Sequence, residues 1–386
     1  MKLGRFIVET HAHAQRFAAG QSGQSVQEQG DPAGQAIREQ GKQQRDVSRG
    51  RQWEQLSNNL TGLKAYDNSA RLLYDMECYG VDMCVLLPAF AMTDDLNAEI
   101  IEKHPDKFVA ECDGFAYLQA CIEGEDEWSI EGQCEALDRL LSSGKFRGIG
   151  EVSPYVPVKI EEPDEPREPI GIETAVKNML AIMEVGQQHN VPVRVHSGAP
   201  MGYDLPYWVR TPGSSGANFP GPYNYNPLWI HDLASVFPDV PIIIDHGGVQ
   251  GWWSERFYEE CLHVAAAHDN VFLETGLWWA ELYDKALADP NIGADKLLWG
   301  TDWGASMGFY HQPGRYPESY AVQRRDNSVA GGPVPHQVDY WGWSLRESAR
   351  VRMTQDDLNR ILGGNAVELY KIEMPYSRLF RPTETR

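Results

Sequence analysis

Short apolar runs that each close on a polar residue recur along the chain, separated by stretches with helical spacing. This alternation constrains the fold more than any other feature. RFIVET (5–10), VDMCVLL (81–87), KFVAEC (107–112), FRGIGEV (146–152), VPVRVH (191–196), VPIIID (240–245), NVFLET (270–275) and LLWGTD (297–302) read as strands, being rich in Val, Ile, Leu and Phe over strand-length windows. NSARLLYDMECYG (68–80) and IETAVKNMLAIMEVGQQHN (172–190) read as helices between them. After the last strand, TQDDLNRILGGNAVELY opens with Thr354 as N-cap and Asp357 at the third helical position. Continuously apolar strands are buried on both faces, and strands alternating with helices run parallel. Eight of them predict an α/β fold, a (β/α)8 TIM barrel, with an open eight-stranded sheet as the alternative.

On this reading residues 1–386 form one barrel domain with long insertions. Residues 14–64 are rich in Gln and Gly, whereas 197–226 and 303–345 carry many aromatics. All three follow strands, so a barrel sets them at its C-terminal face, over the active-site mouth. The formal net charge of −21 argues against nucleic acid or an anionic membrane as a partner. The six cysteines include no C-x-x-C pair, as expected of free thiols in a reducing compartment. With no apolar stretch of membrane length, the expectation is a soluble cytoplasmic protein acting on a small molecule.

The strand ends carry the chemistry. The first strand gives His11 and His13, which share a face because side chains alternate with period two. The fourth gives Glu151, the fifth His196, the sixth His246 and the eighth Asp302. A barrel gathers its active site at these positions, and imidazole with carboxylate suits Zn, Fe or Mn. One strand-end histidine means little; six such residues in register read as a metal site. Arg194, two residues before His196, faces the same way. It is a candidate for binding a substrate carboxylate, or else for an internal ion pair with Glu151 or Glu274.

H-x-H on the first strand, His on the fifth and sixth, and Asp on the eighth resemble the amidohydrolase superfamily. GVDMCVLLP, HPDKFVAEC and ILGGNAVELYKI resemble its amidohydrolase-related branch, named for aminocarboxymuconate-semialdehyde decarboxylase. The likeness spans about residues 5–373. It implies a metal at the barrel mouth held by His11, His13, His196 and Asp302, with His246 as an acid/base. Glu151 departs from the mononuclear pattern. It can bridge two cations, one on His11, His13 and Asp302 and the other on His196 and His246; otherwise it supports Arg194 or a ligand histidine.

Two divalent ions are therefore expected, iron or manganese ahead of zinc. Two reactions follow. In one, water activated by the metal attacks a C–N, C–O or activated C–C bond, with Asp302 or His246 moving the proton; decarboxylation is a variant. In the other, the pair activates dioxygen to hydroxylate an unactivated C–H of a small carboxylate or amino acid. The strand-four Glu resembles the dimetal oxygenases of this fold and sets the oxygenase slightly ahead. That resemblance also implies an oligomer with a second amidohydrolase-fold subunit, and Arg194 as the anchor for a small amino acid. The intact ligand set argues against a non-catalytic subunit.

Overall fold

Residues Val8–Ala12 form β1, from which the rest of the barrel is laid down in chain order. The computed structural model describes residues 5–14, 16–18, 65–67, 69–88, 93–123, 125–152, 172–196, 226–249, 257–276, 278–303 and 340–374. After β1 come a short ribbon, β2 (Arg16–Ala18) and β3 (Ala65–Asp67), then α1 (Ser69–Tyr79), β4 (Met83–Leu86), α2 (Asp94–Lys103) and β5 (Phe108–Ala110). Two helices follow, α3 (Phe115–Glu123) and α4 (Ile130–Ser142), before β6 (Ile149–Val152). The alternation continues through α5 (Ile172–His189), β7 (Val193–Val195), α6 (Ile230–Val236), β8 (Ile242–Ile244) and α7 (Tyr258–Ala267). It ends with β9 (Val271–Glu274), α8 (Ala280–Ala288), β10 (Leu297–Leu298), α9 (Tyr340–Arg350), α10 (Gln355–Asn359) and α11 (Asn365–Leu369).

Two parallel sheets, β1-β4-β5 and β10-β9-β8-β7-β6, account for eight strands. Parallel bridges join their edges, Ala12 to Trp303 at one seam and Cys112 to Ile149 at the other. The ring is therefore closed, which decides between the barrel and the open sheet. Seven of the eight barrel strands lie within the segments read from their apolar runs and are shorter than them, whereas β1 begins inside its segment and ends two residues beyond it. The ribbon β2–β3 had no such signal; it pairs the beginning of the 14–64 stretch with the residues that follow its end, Arg16 to Asp67 and Ala18 to Ala65. Most of 14–64, 197–226 and 303–345 lies outside the described residues.

Two apolar cores flank the strand wall. Outward-facing strand residues such as Leu86, Ala110, Val195 and Leu273 pack against the helices. Phe6, Val8, Val85, Val109, Ile243 and Leu298 form the second core with Tyr370 and Ile372. Residues of five different strands and their flanks meet there only through the barrel's interior, so this cluster is its floor, and the segment after α11 closes it. Upstream, α10 carries the reciprocal cap read from sequence. Asp357 N donates to Thr354 Oγ1 at 3.1 Å, and Thr354 N donates to Asp357 Oδ2 at 3.0 Å. None of the six cysteines forms a disulfide, and no helix among the described residues is long and apolar enough to cross a membrane.

Candidate metal centre

His11, His13, Glu151, His196, His246 and Asp302 meet at the C-terminal end of the barrel. His11 Nε2 lies 3.1 Å from His13 Nε2, and Asp302 Oδ1 lies 3.6 Å and 3.2 Å from those same two nitrogens. Glu151 faces both halves of the cluster: Oε1 is 3.3 Å from His196 Nε2 and 3.8 Å from His11 Nε2, and Oε2 is 3.9 Å from His13 Nε2. The His246 ring stacks on His11 at a centroid distance of 4.9 Å and meets His196 edge-on at 5.4 Å. Ligand atoms of His11, His13 and Asp302 lie within 4.8 Å of one another, and so do those of His11, Glu151 and His246.

Irregular backbone aims these side chains. Glu9 pairs with Cys84 but Ala12 with Leu86, so three residues of β1 oppose two of β4 across His11. The same excess occurs in β6, where Ile149 pairs with Val193 and Val152 with Val195 across Glu151. A bulge turns a side chain out of the regular alternation. His246 and Asp302 take left-handed conformations, φ 56° and φ 57°, which non-glycine residues adopt at a cost of about 1–2 kcal/mol. Trp278 Nε1 donates to His246 O at 3.0 Å and holds that turn. Next to it Gly247, at φ +51°, leaves room for the indole; a Cβ there would sit 2.5 Å from Trp278 Cζ2.

A buried polar layer beneath the cluster fixes the imidazoles. His13 Nδ1 donates to Leu87 O at 3.0 Å and His11 Nδ1 donates to Glu274 Oε2 at 3.2 Å, so both Nε2 lone pairs point into the centre. Glu274 also accepts from His246 N at 2.9 Å. It fits because residue 300 is glycine, where a Cβ would lie 2.5 Å from Glu274 Oε1. Glu9 accepts from His11 N at 2.9 Å and from Thr301 N and Oγ1 at 2.8 Å. Asp245 Oδ1, 3.6 Å from His11 Nδ1, is held by Arg194 and belongs to this layer.

Arg194 is not placed to bind substrate. It is fully buried, and its donors are committed inward. Nε donates to both Glu111 oxygens at 3.1 Å, Nη1 to Asp245, and Nη2 to Thr10 O and Tyr370 Oη at 2.8 Å. The internal ion pair is the correct alternative, with Glu111 and Asp245 as partners in place of Glu151 or Glu274. Glu111, Asp245 and Glu9 were not read as site residues. Their signal was a carboxylate at or beside a strand end, as at Glu151.

The electrostatics fit a cation. His246 Nδ1 and Nε2 and Glu151 Oε1 are buried with no hydrogen-bond partner among the described residues. Burial pushes His11 well below the ordinary histidine range, His196 down to about 4 and His246 down to about 3, which keeps these rings in the neutral form that a metal requires. His13 goes the other way: burial lowers it, but the Asp302 and Glu151 carboxylates outweigh that and raise it. Burial, reinforced by Asp302 against the opposing His13, pushes Glu151 up to about 7. Glu9, Glu111, Asp245 and Glu274 are raised too, burial being the largest cause for each. Among these carboxyls Arg194 is the one permanent cation described, which leaves negative charge for divalent ions to neutralise.

The chain belongs to the amidohydrolase family, whose model, described as amidohydrolase, matches residues 92–372. Members of this family are metal-dependent enzymes, and the residues above could hold a divalent ion here. Over 160 residues the chain is 31% identical to L-fucono-1,5-lactonase of Burkholderia ambifaria, a stretch covering 37% of this chain and 46% of that protein. The match thus spans less than half the lactonase's length. Among solved structures, an uncharacterized TIM-barrel protein from Bordetella bronchiseptica aligns at TM-score 0.51 and 16% identity, covering 95% of this chain and 98% of that one. A 2,6-dihydroxybenzoate decarboxylase, solved with 2,6-dihydroxybenzoate, aligns at 0.50 and 15%, covering 95% and 100%. At such identities these two share the barrel; they do not fix the reaction.

Proposed function

We propose that the chain is a metal-dependent hydrolase that opens a C–O bond of a small lactone or ester. The observation that carries this reading is the pairing of His11, His13 and Asp302 with Glu151, His196 and His246 around one centre at the barrel mouth. The first trio and Glu151 would hold one divalent ion, and Glu151 with His196 and His246 a second. Such ions make water nucleophilic near neutral pH and polarise an acyl oxygen.

The chain's own residues supply proton transfer. Asp302 stands beside both first-strand histidines and is the group positioned to take the proton that water loses on adding to the acyl carbon. When the C–O bond breaks, the same proton returns to the leaving alkoxide, so an acid and an alcohol are formed. His246, neutral near pH 7 in its buried turn, is the second candidate for this task. The lactonase likeness supports the C–O bond over the C–N or C–C alternatives.

The oxygenase reading rests on Glu151 alone, and the lactonase is not an oxygenase. One experiment separates the two. Zinc- or manganese-loaded protein under argon should hydrolyse members of a panel of five- and six-membered lactones, with oxygen-18 from labelled water in the acid product. Zinc has no accessible redox step, so turnover under these conditions is hydrolysis. A silent panel under argon, with iron- and dioxygen-dependent hydroxylation of a small carboxylate or amino acid, would return the oxygenase.

A further inference from the structure

A cavity lies between the barrel wall and the helices α3, α4 and α5, with Glu151 and Val152 of β6 in its lining. It measures about 30 Å³, room for about two waters or for the hydroxymethyl end of a longer ligand whose remainder lies outside. Leu118, Ile130, Met179 and Ile182 give it an apolar lining. Four polar groups also line it, and each has a buried atom without a partner: Asp113 Oδ1, Trp128 Nε1, Gln133 Oε1 and Asn178 Nδ2. Asp113, Gln133 and Asn178 are each more than nine-tenths buried. Orphaned buried polar atoms are uncommon in folded proteins, and four around one small space call for a ligand.

These groups are held in place. Asp94 accepts from Asp113 N at 3.2 Å and Phe115 N at 2.8 Å, which pins the turn leading into α3. Gln133 Nε2 donates to Asp113 O. Only the amide nitrogen can donate to a carbonyl, so Gln133 Oε1 is left as an acceptor. The unmet set is therefore two donors, Trp128 and Asn178, and two acceptors, Asp113 and Gln133. Burial and the neighbouring Asp94 push the Asp113 carboxyl well above the usual range, and a partner that both donates and accepts suits either of its protonation states.

That inventory selects a ligand class. An ammonium would satisfy the acceptors and leave Trp128 and Asn178 unmet; a carboxylate would do the reverse. Hydroxyl groups serve both, while the carbons bearing them pack on the apolar lining. We propose that this cavity is a recognition subsite for a hydroxyl-bearing arm of the substrate, a terminal diol or hydroxymethyl group, adjoining the metal cluster through Glu151. As a substrate subsite it rests on the hydrolase reading above; as a polyol site it does not.

The test uses metal-loaded full-length protein with meso-erythritol as the probe, against 1-butanol, by ligand-observed NMR. Wild type should bind erythritol about tenfold more tightly than 1-butanol, and Asn178→Leu should abolish that preference. Trp128→Phe keeps an aromatic ring but removes the indole donor and should weaken erythritol binding several-fold, so it keeps the test decisive if Asn178→Leu does not fold. On lactones, the ratio of kcat/KM for D-glucono-1,5-lactone over δ-valerolactone should fall about tenfold in Asn178→Leu. If erythritol binds wild type no better than 1-butanol, or its binding ignores the substitutions in the folded variants, the cavity holds water only and the proposal is wrong. If the substitutions weaken erythritol binding but no lactone is turned over, the subsite stands and the hydrolase reading falls.

Discussion

The two ends of the barrel interior are built on opposite principles. The floor is filled by Val8, Val85, Val109, Ile243 and Leu298 and closed by Tyr370 and Ile372, apolar surfaces in mutual contact. The mouth gathers Glu9, Glu111, Glu151, Asp245, Glu274 and Asp302 around four imidazoles and one guanidinium. It also holds two non-glycine residues at positive φ and a bulge in each of the strands carrying His11 and Glu151. Burial stabilises the first arrangement and penalises the second until its charges are neutralised. One end of the same eight strands therefore supplies stability, and the other spends some of it on a site.

The comparison is most exposed at the cluster itself. His13→Ala should lower kcat by at least about a thousandfold, near 4 kcal/mol of barrel-mouth chemistry, and reduce bound metal in elemental analysis. Its metal-free form should unfold within a few degrees of metal-free wild type. A loss of activity with full metal occupancy would assign His13 another task. Next in size is Arg194→Leu, which leaves Glu111 and Asp245 buried without their cation. A loss of about 3–5 kcal/mol in denaturant unfolding is expected, as for other broken buried pairs. Little change would mean that the carboxyls go neutral at small cost.

At the floor, Leu298→Ala should cost about 2–4 kcal/mol through the cavity it leaves, while metal content stays at the wild-type level. Loss of metal in that variant would couple the two ends and break the contrast. The smallest effect concerns pH. Glu9 is raised to about 8 and Glu151 to about 7, so between pH 6.5 and 8 the unfolded chain has shed these protons and the folded, metal-free protein still holds part of them. Stability of the metal-free protein should therefore fall as pH rises across that window, by about 1 kcal/mol per unit for each group mostly protonated in the fold. Glu9→Gln should flatten the slope. A rise in stability with pH would show that these carboxyls are ionised in the fold.

The barrel was legible because each strand is an apolar run bounded by helical spacing, a pattern with few other solutions. His11, His13, Glu151, His196, His246 and Asp302 were legible as a set because each closes such a run. Arg194 was misread for a reason of depth. Period-two alternation places it on the same face as His196, but two residues down a strand is about 6.6 Å, which puts it in the layer beneath the cluster. Glu111 and Asp245 were missed because a carboxylate at a strand end shows its partner only once the strands are closed into a ring. The bulges in β1 and β6 leave no mark on the apolar pattern, and neither does the unmatched polar lining of the cavity behind Glu151.

The small ribbon β2–β3 matters for a different reason. Ala18 and Ala65 face each other in adjacent antiparallel strands, so the chain departs from the barrel and rejoins it at one point. Closure of whatever lies between is made locally, and the entropy of a closed segment grows only with the logarithm of its length. The closure term itself changes by only about 0.6 kcal/mol for each doubling of the distance along the chain between these partners. Such a junction gives lineages of this fold a place where inserts can be gained, exchanged or lost without re-founding the scaffold.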